Sequence, residues 1–173
     1  KMDSVKRILN SAKDANGLPV TLETVNQKLD ELNRYSDKTI YSFRDMTTNI
    51  GKFTNAGVDL DKAVLAIQGI ANEAALSGAN AQEASRAMYN FAQALSAGYI
   101  KLIDWKSIEN ANMATVGFKE ELIKTAVEMD TLIEKDGMYI TKTKDMNGKV
   151  SEAFNATTLF NESLSHQWMT ADV

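Results

Sequence analysis

Residues 43–113 constrain this chain more than any other stretch. They read as helix-forming segments rich in Ala, Ser and Gly, punctuated at Gly57, Gly78 and Gly98. Small side chains let helix backbones approach closely, and a glycine past a helix end supplies the left-handed turn that stops it. Such a run folds back on itself instead of extending as one rod. It also presents few side chains capable of chemistry, so it points toward assembly and away from catalysis.

Apolar spacing places the other elements. Val5, Ile8, Leu9 and Ala12 share a helical face, and Gly17-Leu18-Pro19 breaks the chain. Leu22, Val25, Leu29 and Leu32 recur by threes and fours over two heptads, which favours a core-facing stripe over a coiled-coil seam. Ser36 or Asp37 is placed to cap a helix carrying Ile40, Phe43, Met46, Ile50 and Phe53. Asp59 caps the next, with Leu60, Ala63, Val64, Ile67 and Ile70 inward, and Asn80 with Glu83 forms the pattern of a capping box. Asp104 is expected to cap a brief helix from Trp105, and a longer helix is expected from about Phe118 to Lys135. The period then changes. Residues 138–143 favour strand, Asp145-Met146-Asn147-Gly148 a turn and Lys149-Val150 a short return strand, with a last helix capped by Ser151.

The expected fold is therefore mainly α: a compact domain of short, glycine-terminated helices with one small β-hairpin near residues 138–150. Residues 1–36 form an N-terminal helical arm or helix pair. Residues 37–137 form the helical core, and residues 138–173 a hairpin and C-terminal helix packed on it. All of it makes one domain. Lys1 is not a natural initiator, and Thr170 or Asp172 reads as the cap of a further helix, so the chain is expected to be a piece of a longer protein.

Chemistry finds little purchase. Cysteine is absent and His166 is the one histidine, which removes the ordinary zinc ligand sets. Asp136-Gly137 and Asp145-Met146-Asn147-Gly148 are only fragments of a calcium loop, and turn chemistry explains them fully. Ser163 and His166 are three residues apart and could meet on a helix, but no oxyanion-binding group is in view. Glu120 and Glu121 lie on the long helix beside Lys124, as surface ion pairs do. A pair of carboxylates keeps one alternative open, a helical domain of a peptidoglycan-cleaving enzyme. No phosphate-binding glycine motif is present, and no cofactor or small-molecule substrate is expected. The net charge of −4 does not favour nucleic acid; Lys142, Lys144 and Lys149 read as an edge-protecting set. No apolar run reaches the roughly 20 residues of a membrane span. An interaction surface is harder to dismiss. Tyr99, Ile100, Leu102, Ile103 and Trp105 cluster around the exit from Gly98, and Trp168 lies near the end of the chain. Tyr99, Ile100, Trp105 and Trp168 are the candidate protein contacts, although aromatic residues also build cores.

Residues 41–113 carry a family resemblance. The features are Phe43-Arg44-Asp45-Met46, Ile50-Gly51-Lys52-Phe53, Ala56 to Leu60 and Ile67-Gln68-Gly69, then Gln93 to Gly98 and Asp104 to Ile108. Their pattern resembles the tape measure domain near the N-terminal end of tail-length tape measure proteins of long-tailed bacteriophages and prophages. It covers about two-thirds of the chain. Phe154 to Thr170 also looks like the family's exit segment, whereas the first forty residues match less well. The resemblance implies a component of the virion tail, made in the bacterial host cytoplasm, in some cases from a prophage. It implies a role in tail assembly and tail length determination, without catalysis by this segment. The implied partners are tail tube subunits, tail assembly chaperones and tail-tip proteins. No functional residue carries over.

Overall fold

A computed structural model describes residues 2–141, 152–170 and 173. Among the described residues eight α-helices follow in order: α1 Met2–Ser11, α2 Leu22–Ser36, α3 Phe43–Asn55, α4 Leu60–Ser77, α5 Ala81–Ser96, α6 Leu102–Asn110, α7 Val116–Glu128 and α8 Phe160–Ser163. Between α7 and α8 lies an antiparallel pair, β1 Leu132–Lys135 and β2 Met138–Thr141. A 3-10 turn, Leu164–His166, follows α8.

Helix α3 is the hub, packed against α1, α2, α4 and α5. Its Met46, Ile50 and Phe53 are buried one turn apart, and α4 answers with Ala63, Val64, Ile67 and Ile70. Alanines Ala84, Ala87 and Ala94 on the buried side of α5 keep the helices close. Buried polar groups also join helices: Asn49 Nδ2 of α3 donates to Ser85 Oγ of α5 at 3.2 Å, and Thr54 Oγ1 of α3 lies 2.7 Å from Ser11 Oγ of α1. On α2 the stripe Val25, Leu29 and Leu32 faces inward while Leu22 is exposed, as a one-sided core helix requires.

The helix ends show why these helices are short. At the end of α3, Gly57 has φ 91°, its N–H reaches Thr54 O at 3.1 Å, and Val58 N–H reaches Phe53 O at 3.0 Å. This double bond around a left-handed residue is the Schellman closure. The same closure ends α6 at Asn112 (φ 55°) and α7 at Asp130 (φ 61°), while at Gly78 (φ 77°), past α4, the N–H groups of Gly78 and Ala79 share Ala74 O. The N-terminal caps at Asp59 and at Asn80 with Glu83 are as expected from sequence: Asp59 Oδ1 accepts from Lys62 N at 2.9 Å, and Asn80 N donates to Glu83 Oε2 at 2.9 Å.

Several boundaries differ from the sequence reading. Helix α3 is capped by Ser42, whose Oγ accepts from Asp45 N at 3.1 Å. Residues 37–42 form a turn held by Tyr41, whose hydroxyl donates to Ala79 O at 3.1 Å, so Ile40 is left 71% exposed. Helix α6 begins three residues before Trp105. Asp104 does not precede it as a cap but sits in its first turn, accepting from Lys101 N at 2.9 Å. Helix α7 stops at Glu128, not Lys135, because Asp130 takes the left-handed conformation without being glycine. The strand expected from Met138 is present, but its partner is 132–135, joined through Asp136-Gly137, both at positive φ. That is the two-residue hairpin turn for which Asp-Gly is suited. The expected turn at 145–148, return strand at 149–150 and cap at Ser151 lie outside the described residues. The helix expected beyond Ser151 is not formed over 152–159. Phe154 instead exchanges backbone hydrogen bonds with Tyr139, at 2.8 and 2.9 Å. Asn155 Oδ1 then turns the chain by accepting from Thr157 N and Thr158 N.

One substitution should therefore change sign with position. At Gly57 an added Cβ meets no atom within 4 Å but the backbone is left-handed, so Gly57→Ala should lower stability by about 1 kcal/mol. Gly69 is equally open but right-handed within α4, so Gly69→Ala should raise stability by about 0.5–1 kcal/mol. Urea unfolding of the two variants beside the parent measures both.

Candidate interaction surface

Helix α6 is too short to hold itself, and its buried face supplies the reason it is ordered. Trp105 is fully buried, with its ring centroid 6.4 Å from Phe91 of α5, 5.9 Å from Phe118 of α7 and 4.8 Å from Phe160 of α8. Phe160 in turn meets Trp168 edge-on at 5.7 Å. Trp168 Nε1 donates to Ser163 Oγ at 3.0 Å, and Ser163 Oγ donates to Phe160 O at 2.6 Å. Ile100 N donates to Met169 O at 2.8 Å, which pins the exit segment beside the connector before α6.

This arrangement locates the four candidate contact residues. Ile100, Trp105 and Trp168 come together, but as parts of one buried aromatic cluster: they are 2%, 0% and 1% exposed. Tyr99 is half-buried, with Lys101 Nζ 5.5 Å from the centre of its ring. The cluster pushes the other side of the same segment outward. Leu102 is 43% exposed and Ile103 78%, on the first turn of α6. A partner meeting this edge would touch Tyr99, Leu102 and Ile103, with Ile100 and Trp105 fixing them from beneath.

A second surface was not visible in sequence, because its walls come from separate elements. Between α4 and α7 runs an apolar groove of about 440 Å³. One wall is the α4 stripe Leu65, Ala66, Gly69 and Ile70, and the other is Phe118, Leu122, Thr125 and Met129 of α7. Phe91, Ile100 and Met169 form its floor, so it opens directly above the aromatic cluster.

The residues weighed for catalysis are placed apart from these surfaces. His166 does not approach Ser163 as a base would; its ring lies flat on Phe154, centroids 3.9 Å apart, while Ser163 is buried and bonded to Trp168. Burial holds the His166 imidazole below its usual pKa, against an opposing pull from Glu152. Glu120 and Glu121 are exposed, and Glu121 pairs with Lys124 at 3.6 Å. Among the described residues no group of three or more acidic or histidine side chains is placed to hold a metal ion. No helix among them is long and apolar enough to cross a membrane. Lys142, Lys144 and Lys149 lie outside the described residues.

One carboxylate ties α6 to α8. Glu109 accepts from Lys106 Nζ and from Asn161 Nδ2, each at 2.6 Å. Lys106 first and Asn161 second hold its pKa below the ordinary carboxylate range. A depressed acid stabilises the fold above its unfolded pKa and loses that contribution as pH falls through the folded value. A depressed histidine acts in the same direction, because the unfolded chain takes up the proton first. Stability should therefore fall in two steps on acidification, the first starting near the ordinary histidine pKa of about 6.5. His166→Gln should remove the first step and Glu109→Gln should flatten the second, in unfolding curves recorded from pH 7.5 to 3.

The family comparison matches residues 3–159 to a model described as tape measure protein. The match takes in most of the first forty residues, where the sequence resemblance is weaker, and stops before α8. Comparison with curated proteins and with solved structures gives no match.

Proposed function

The chain belongs to the tape measure protein family, and from that premise we propose that it is a folded structural module of a protein that acts in phage tail assembly and tail length determination. The family is a structural one of phage tails. The observation that carries the reading is the series of left-handed helix stops. A measuring rod needs continuous helix, rising about 1.5 Å per residue. Among the described residues the longest helix has 18 residues, and α3 to α6 pack against one another instead of running end to end. The module therefore contributes a globular body to the tape measure protein, and length is measured by other parts of that protein.

The proposed partners are tail tube subunits, tail assembly chaperones and tail-tip proteins, met through the Tyr99 to Ile103 edge. The protein would be made in the bacterial host cytoplasm, from a phage or a prophage genome, and carried into the virion tail. No catalytic step is assigned to it.

Tandem duplication of these 173 residues in the parent gene tests the reading. Tails should keep their length, or fail to assemble, as seen by electron microscopy. Tails longer by about 260 Å, the rise of that many helical residues, would mean that the segment itself measures.

A further inference from the structure

The packed pair α5 and α6 gathers polar side chains that the fold itself leaves unused. Arg86 and Asn90 stand one turn apart on α5, and Ile103, Lys106, Ser107 and Asn110 recur by threes and fours along α6. Together they line a hollow of about 220 Å³. Ile103 belongs both to this hollow and to the Tyr99 to Ile103 edge, and it is 78% exposed.

Most of the charge here is already answered. Lys106 Nζ lies 2.6 Å from Glu109 Oε2, and Glu83 Oε2 accepts from Asn80 N at 2.9 Å in the capping box. Ser107 Oγ donates to Asp104 O at 2.8 Å. Arg86 is different. Among the described residues it has no carboxylate within ion-pair distance and no hydrogen-bond acceptor, and the side-chain amides of Asn90 and Asn110 have no partner either. Water satisfies such groups well when each stands alone on a surface. Here one uncompensated cation and two amides share a single hollow beside an exposed isoleucine.

The donor set selects its ligand. A guanidinium presents its N–H groups in a planar fork that matches a carboxylate, and each Asn amide adds two N–H donors. One uncompensated cation suits one negative charge. A polyanion such as nucleic acid would bring further phosphates against Glu83, Glu109 and a chain of net charge −4. We propose that the α5–α6 hollow binds an Asp or Glu side chain of a protein partner whose neighbouring apolar residue rests on Ile103. Arg86 takes the carboxylate, Asn90 and Asn110 fix its position, and Ile103 supplies the apolar contact. The proposal rests on the reading of the Tyr99 to Ile103 edge as a partner surface, and it names the chemistry a partner must carry there.

The probe is acetyl-Leu-Glu-Leu-amide, with acetyl-Leu-Gln-Leu-amide beside it, each titrated into the isotopically labelled chain and followed by NMR. The Arg86 Nε–H signal and the Asn90 and Asn110 side-chain amide signals should move, and the Glu peptide should bind at least tenfold more tightly than the Gln peptide. Arg86 is exposed, so Arg86→Gln should keep the fold and remove that preference. Arg86→Lys should restore only part of it, because an ammonium keeps the charge without the fork. Equal binding of the two peptides, no movement of these signals, or tighter binding of a short oligothymidylate would overturn the proposal. Failure of the edge reading would look different. Tails that assemble normally with Ile103→Asp in the parent gene would remove the edge as a partner surface. Failed tails with Ile103→Asp beside a negative titration would keep the edge and remove only the carboxylate site.

Discussion

A backbone turned to positive φ just past a helix end is the constraint on which this structure depends. It does three things at once at Gly57, Gly78, Asn112 and Asp130. It stops the helix, satisfies carbonyls that the last turn would leave orphaned, and redirects the chain. Without these stops, residues 43–128 offer almost uninterrupted helix-forming sequence. With them, α3 can be surrounded by α1, α2, α4 and α5, and a core of small and branched side chains forms around it. The aromatic cluster at Trp105 depends on the same device, because α6 and α7 reach it from opposite sides of the Asn112 turn.

Where the stop is glycine, it could be read from sequence. Gly57 and Gly78 marked the ends of α3 and α4, and the polar caps Asp59 and Asn80 with Glu83 marked the starts of α4 and α5. The inward stripe of α4 follows directly from its spacing. The end of α7 was hidden because Asp130 carries the left-handed turn. Asp bears a steric penalty there that glycine does not, offset by the bonds from Asp130 N to Val127 O and from Thr131 N to Ala126 O. Missing that stop also concealed β1. Asp136-Gly137 is legible as a turn, but with helix expected up to Lys135 nothing before it marks a strand for it to join. The segment after Ser151 has helical spacing, yet Phe154 pairs with Tyr139 instead, a contact across fifteen residues that no local pattern encodes.

The surfaces were less legible than the fold. Aromatic residues near Gly98 looked equally suited to a core or to a partner. The packing divides them: Ile100, Trp105 and Trp168 go inward, leaving Leu102 and Ile103 outside with Tyr99 at the boundary. The groove between α4 and α7 depends on how far apart two helices sit, a distance absent from sequence. Each wall taken alone is an ordinary amphipathic stripe. Their failure to meet distinguishes this face from the interior, where equivalent stripes on α3 and α4 are fully buried.

Membership in the tape measure family and a compact fold are reconciled if this segment is a body attached to a ruler. Small-angle X-ray scattering of the isolated 173-residue chain tests that claim most directly. A compact domain of this length has a radius of gyration of about 16 Å. A continuous helix of the same length would give about 75 Å, from a rod of about 260 Å. A value near the first is the outcome required; an elongated particle approaching the second would contradict the account.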